Sequence, residues 1–247
     1  MIKSANPALN SQIFTAEARV ASSEKMTVQG TVNKTGILLL CVIATASVTW
    51  GRFFNGENFS SLMLVGAIAG FITALITIFN KKIAHITAPF YACSQGLFLG
   101  GVSAIFEAQY PGIVIQAVGL TFATCFSLLG AYKSGMIKVT ENFKLGVAAA
   151  TGGLFLFYFI SFILSFFGMS FGSSLISGNS MFGIGFSVFV VGIAALNLVM
   201  DFDFIESGED HGAPKYMEWY SAFGLMVTLI WLYIEILRLL AKLRSRD

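Results

Sequence analysis

Long apolar runs alternate with short polar connections along nearly the whole chain. At 1.5 Å per residue, a helix of about 20 residues crosses roughly 30 Å of hydrocarbon. Seven runs reach or approach that length, and they predict seven transmembrane helices. The predicted spans are residues 36–50, 61–79, 86–106, 112–132, 145–167, 181–201 and 220–241.

The composition excludes a soluble globular domain. Hydrophobic residues make up 56% of the 247 residues and charged residues 11%, whereas a soluble domain has roughly 25% charged residues. The fold class expected is an all-α integral membrane protein. Residues 1–35 are mostly polar and lack the pattern of a cleaved secretory signal, so we predict an N-terminal arm over 1–35 and a seven-helix domain over 36–247.

The distribution of Lys and Arg predicts a cytoplasmic N-terminus. The arm contains four of them, and the next five connections contain one, two, none, three and none; such residues accumulate on the cytoplasmic side. The basic residues after the seventh span would then lie outside if that span crosses fully. Either the last segment is re-entrant or the earlier helices determine the topology.

Two carboxylates stand out because they fall within apolar segments. Asp201 ends the sixth span and Glu235 lies deep in the seventh. An ionisable group in hydrocarbon is costly and is by default a functional candidate. Helical spacing places Glu235 on one face with Thr228 and Arg238, and Asp201 on a stripe with Asn197. Asn197 could hydrogen-bond across helices or to Asp201 one turn away.

Two carboxyls within a few ångströms in low dielectric would share a proton and titrate as a unit, which makes a switch. Two simpler interpretations stand beside this one. Glu235 could form an intrahelical ion pair with Arg238, and Asp201 could face water with Asp203 and Glu206. The acidic run 201–210 could concentrate cations at a pore mouth or be a solvated loop.

Other residues indicate packing rather than chemistry. Ala92, Gly96 and Gly100 form a small-residue ridge that continues to Ser103 and Glu107, as in close helix packing. The three cysteines lie in apolar spans without metal or disulfide spacing. We expect no cofactor, no resident metal site and no nucleic-acid binding.

Several stretches resemble a known family. LVMDFDFI at 198–205 and LYIEILRLL at 232–240 resemble the ending of the Bax inhibitor family, also called the transmembrane Bax inhibitor motif family. MTVQGTVNKT at 26–35, FEAQYPG at 106–112 and GAPKYMEWY at 212–220 resemble its bacterial YccA-type branch. The resemblance covers roughly residues 26–247.

The resemblance implies a fold, a function and a location. The fold has two three-helix layers around a central C-terminal helix, in a bacterial inner membrane. The function is a pH-sensitive calcium leak gated by an aspartate pair on the last two helices. Asp201 matches the first aspartate, whereas the second position holds Glu235, whose side chain is one methylene longer.

The leading hypothesis is therefore a proton-gated cation pathway, with calcium as the expected ion. Asp201 and Glu235 would form the latch, and their oxygens would offer hard ligands to a passing ion. Residues expected to line the pathway or support the latch are Asn197, Asp203, Arg238, Thr228 and Glu107.

Two other classes of function stand beside the cation pathway. The alternative is a membrane regulator that binds partner proteins, such as a membrane-anchored quality-control protease, through the polar arm. An intramembrane hydrolase is not expected, because both histidines lie outside the spans and no HExxH pattern is present.

Overall fold

The computed structural model describes residues 25–168, 172, 176 and 178–246. Residues 1–24 of the predicted arm lie outside the described part, as do 169–171, 173–175 and 177 of the Gly/Ser-rich connection. The boundary predicted between residues 35 and 36 stays a prediction, although residues 28–35 already belong to the first helix.

Seven helices in the described residues are long and apolar enough to cross a membrane, which confirms the predicted fold class. They are α1 (Val28–Phe54), α2 (Ser60–Phe79), α3 (Ala84–Gln109, after a 3-10 turn at Lys81–Ile83), α4 (Ile113–Lys133), α5 (Glu141–Phe166), α6 (Met181–Asp210) and α7 (Met217–Arg244).

Several helices extend beyond the predicted spans, because the hydrogen-bonded backbone continues past the last apolar residue until a cap ends it. At the start of α1, the Thr27 hydroxyl accepts a hydrogen bond from the Gly30 amide at 2.9 Å. At the end of α6, Gly212 adopts a φ of 63°, which a glycine tolerates without strain. The acidic run 201–210 therefore belongs to α6, and its interpretation as a loop is wrong.

The chain divides into two compact units, and α6 and α7 run through both of them. In the described part of the chain, one unit comprises residues 25–109 and 203–227. The other comprises residues 110–202 and 228–246. We call them the N-terminal unit and the carboxyl unit, because the second contains both Asp201 and Glu235.

In the N-terminal unit, α3 packs against both α1 and α2. The predicted small-residue ridge makes this possible. A Cβ atom at Gly96 would lie 3.0 Å from the Cα of Val42, and one at Gly100 would lie 2.8 Å from the Cα of Ala46. The backbones of α1 and α3 therefore touch where a larger side chain would hold them apart.

The same unit joins the start of α1 to the connection between α6 and α7. The Met26 amide donates to the Ala213 carbonyl at 2.7 Å. The backbone amide and the hydroxyl of Thr27 both donate to Oε1 of Glu218, each at 3.0 Å. We call this contact the Glu218 clamp. It brings together the 26–35 and 212–220 stretches that resemble the YccA-type branch.

In the carboxyl unit, α6 and α7 run antiparallel in a fixed register. Lys242 donates to the Ser187 hydroxyl at 2.7 Å, and the Thr228 side chain hydrogen-bonds to Asp201. The two contact points are fourteen residues apart on each helix, so both helices are straight enough to keep one register over about four turns.

The end of α7 lies beside the connections that precede α4 and α6. Arg244 donates to the Pro111 carbonyl at 2.7 Å, and Asn179 donates to the Ser245 carbonyl at 3.4 Å. A continuous helix of 28 residues spans about 42 Å, more than the hydrocarbon thickness. This length is enough for a full crossing, and the choice between a full crossing and a re-entrant segment stays a prediction.

Candidate functional site

Asp201 is buried on α6, and the interpretation that it faces water is wrong. Only 6% of the residue is exposed, because α6 continues for more than two turns beyond it. The Thr228 hydroxyl donates to its carboxylate, and the Cys125 thiol of α4 lies close enough to interact electrostatically with it. Its Oδ2 is buried without a hydrogen-bond partner in the described residues.

Glu235 is buried on α7 and has several donors. Its Oε1 accepts from Arg238 at 3.0 Å and from the Tyr158 hydroxyl of α5 at 3.4 Å. The Trp231 side chain donates to the same carboxyl group. The intrahelical ion pair with Arg238, one of the simpler interpretations, is thus present, but it belongs to a network that reaches α5.

The structure gives the two acids separate partners. Asp201 lies opposite Thr228, which precedes Glu235 by seven residues on α7, or about 10 Å along the helix axis. In the described part of the chain no hydrogen bond joins the two carboxyls. Proton sharing between them stays a prediction.

An apolar cluster lies around residues 186–196 of α6. It consists of buried residues from α5 and α6 with partly buried neighbours that include one residue of α7. The buried members are Leu154, Val190 and Ile193, and those packed against them are Ala150, Phe186, Leu196 and Trp231. We call this the apolar layer. Its members on α6 precede Asp201 along the chain, on the side towards the end of α7.

Lys242 is a functional candidate that the sequence analysis missed. It is only 6% exposed and donates to the Gly183 carbonyl at 3.0 Å as well as to Ser187. The signal was present, since Ser221, Thr228, Glu235 and Lys242 recur every seven residues. Helical spacing places Lys242 on the same face as Thr228 and Glu235, but a basic residue near a helix end is ordinarily attributed to the interface, so Lys242 was not among the predicted site residues.

The remaining predicted site residues fall into two groups. Thr228 and Arg238 contact the acids as described. Asn197 donates to the Thr151 hydroxyl of α5 and to the Ile193 carbonyl, both at 2.8 Å; of its two predicted contacts, the one across helices is therefore formed. Asp203 and Glu107 belong to the N-terminal unit.

No group of three or more His, Cys, Asp or Glu side chains suited to a metal ion occurs among the described residues. The carboxyl unit thus presents two buried acids, each with its own donors, and a buried ammonium group. Such a row of polar groups between two membrane helices can bind and release protons or attract a cation.

Comparison with known proteins identifies the family. The chain shows no significant match to a curated protein or to a solved structure. A family model described as Bax inhibitor 1 like matches residues 6–245, nearly the whole chain. The chain therefore belongs to the Bax inhibitor family.

Proposed function

We propose that this protein forms a pH-sensitive cation leak, with calcium as the expected ion, across a bacterial inner membrane. Asp201 and Glu235 would be the gating carboxyls, and the N-terminus would be cytoplasmic. The observation that carries the proposal is the Oδ2 atom of Asp201, which is buried and lacks a hydrogen-bond partner in the described residues.

A carboxyl group retained only for structure would have both oxygens satisfied, because a buried polar atom without a partner costs stability. Asp201 departs from this rule within a membrane helix, where the cost of an acid is already high. An oxygen in this position is a hard ligand of the kind that calcium prefers. It supports a role in which Asp201 accepts a proton or a cation.

Glu235 supplies the pH-sensitive part of the proposal. In its charged form it can accept hydrogen bonds from Arg238, Tyr158 and Trp231. Protonation would cancel the ion pair with Arg238 and remove acceptor capacity, so the network between α5 and α7 would weaken. A change of protonation at one residue would then alter how two helices pack.

Calcium flux into proteoliposomes tests the proposal. A gate controlled by one proton is expected to change flux by up to about tenfold per pH unit. We expect Asp201→Asn and Glu235→Gln each to flatten that profile. Glu57→Gln is the matched control, because Glu57 is an exposed acid paired with Arg52 at 3.7 Å. Calcium entry that ignores pH and is the same in all four proteins would refute the proposal.

The alternative, a regulator that binds a membrane protease or another partner, is tested by removing residues 1–24. Residues beyond this point must stay, because Met26 and Thr27 form part of the Glu218 clamp. If the arm binds a partner, the truncated protein is expected to lose a cross-linked partner while its ion flux is unchanged. Equal partner recovery with and without the arm would contradict this alternative.

A further inference from the structure

Trp231 lies where the carboxyl network meets the apolar layer. Its side chain donates a hydrogen bond to Glu235, and its ring packs against the buried residues of the layer. On α7 it falls between Thr228, the partner of Asp201, and Glu235. In the described part of the carboxyl unit it thus contacts both the titratable network and the hydrophobic barrier.

The position of the apolar layer gives it the properties of a closed gate. Its residues come from three helices, α5, α6 and α7, and those on α6 lie within 186–196, before Asp201. A cation that moved along α6 from Asp201 towards Ser187 would pass these residues. Hydrophobic constrictions of this kind block ions because water does not fill them.

The hydrogen bond to Glu235 explains how the ring could be held in place. A Trp ring in an apolar environment generally requires a partner for its N–H group. The titratable and charged groups that face Glu235 are Tyr158 on α5 and Arg238 and Lys242 on α7. A carboxylate surrounded by these groups is a fixed acceptor for Trp231.

We propose that Trp231 is the gating residue of the carboxyl unit: its ring completes the apolar layer, and its hydrogen bond to Glu235 keeps that layer closed. This inference rests on the proposed cation leak. It assigns to Glu235 a positioning role, exerted through Trp231, in addition to any role as a cation ligand.

Flux measurements test the sealing role. Trp231→Ala removes the ring and is expected to raise calcium flux into proteoliposomes by about tenfold or more, corresponding to about 1.4 kcal/mol of barrier. Adding Glu235→Met to Trp231→Ala should raise the flux no further, because the group that Glu235 positions is gone. Trp231→Phe, which keeps most of the bulk, should leak less than the alanine variant. Trp50→Ala is the control for loss of a Trp in another helix.

Trp fluorescence tests the positioning role without any flux. Replacing Trp50 and Trp219 by Phe leaves Trp231 as the single emitter, since the chain has three Trp. In that background, Glu235→Met is expected to shift the emission to longer wavelength and to increase quenching by acrylamide. Thermal unfolding of each variant in detergent would show that the fold is retained.

The possible outcomes distinguish the proposed cation leak from the role of Trp231. If calcium flux does not depend on pH and is the same in the unmodified protein and in its Asp201→Asn and Glu235→Gln variants, the proposed function is refuted. The sealing role of Trp231 is then refuted with it. Acid-dependent flux that Trp231→Ala leaves unchanged defeats the sealing role alone. If Glu235→Met leaves the emission of Trp231 unchanged, the positioning role of Glu235 is refuted, whatever the flux.

Discussion

Replacing Glu218 by alanine is expected to lower the free energy of unfolding by about 1–3 kcal/mol, because it removes the acceptor of two hydrogen bonds and one partner of a partly buried ion pair. The Glu218 side chain is only 2% exposed, and its carboxylate pairs with Lys34, which is 16% exposed. The Lys34 ammonium also lies 5.6 Å from the centre of the Trp219 ring. Loss of the carboxylate would leave this half-buried ammonium group without its anion.

Replacing Glu218 would also destabilise the first turn of α1. Glu218 accepts from both the amide and the hydroxyl of Thr27, and Thr27 in turn caps the helix through Gly30. A negative charge at this end of a helix also complements its dipole. Glu218 therefore stabilises the start of α1, although it lies 191 residues after Thr27 in the sequence.

Thermal unfolding in detergent measures the effect, with Glu57→Ala as the matched control. The Glu57 side chain is 57% exposed, and pairs of this kind contribute roughly 0–1 kcal/mol. The double variant Lys34→Met with Glu218→Met should be more stable than Glu218→Ala, because no unpaired charge remains. Equal unfolding temperatures for Glu218→Ala and Glu57→Ala would contradict the clamp.

The helices were predictable because the apolar length of a membrane span is a local property of the sequence. The ends of α1 and α6 were not, since they depend on capping by Thr27 and on the left-handed Gly212. The start of α1 also depends on a contact with a segment far away in the sequence, that of Thr27 with Glu218. No pattern within residues 26–35 indicates that their partner would be Glu218.

In the candidate site too, features that depend on one helix were predictable, whereas features that depend on contacts between helices were not. Helical spacing placed Asp201 and Glu235 on the correct inward faces, and both are buried. Spacing along one helix contains no information about its register with another. That register is set by contacts such as Lys242 with Ser187, and it places Asp201 level with Thr228 rather than with Glu235. The two-turn offset could not have been derived from the sequence.

The offset has a consequence for the gating proposal. If the two acids act together, they do so across the apolar layer or after a movement of α6 along α7. A mechanism that needs direct proton sharing requires such a shift of about two turns, whereas one that works through Trp231 requires only rotation of a side chain. The second is the smaller change to a packed membrane interior.

Replacing Gly100 by alanine is expected to destabilise the protein by about 1–3 kcal/mol, the usual cost of overpacking a well-packed contact. The added Cβ would lie 2.8 Å from the Cα and 2.9 Å from the carbonyl carbon of Ala46. Both are backbone atoms of α1, so no rotation of a side chain can relieve the overlap. The helices α1 and α3 would have to separate.

Gly119→Ala is the matched control, and its expected effect on stability has the opposite sign. Gly119 also lies within a membrane helix, α4, but nothing stands within 4 Å of an added Cβ. Alanine favours a helix over glycine by roughly 0.5–1 kcal/mol, so this variant should unfold at a slightly higher temperature. Unfolding temperatures measured in the same detergent should therefore diverge, with Gly100→Ala below the unmodified protein and Gly119→Ala at or above it. If both variants were stabilised alike, the backbones of α1 and α3 would not be in contact at Gly100.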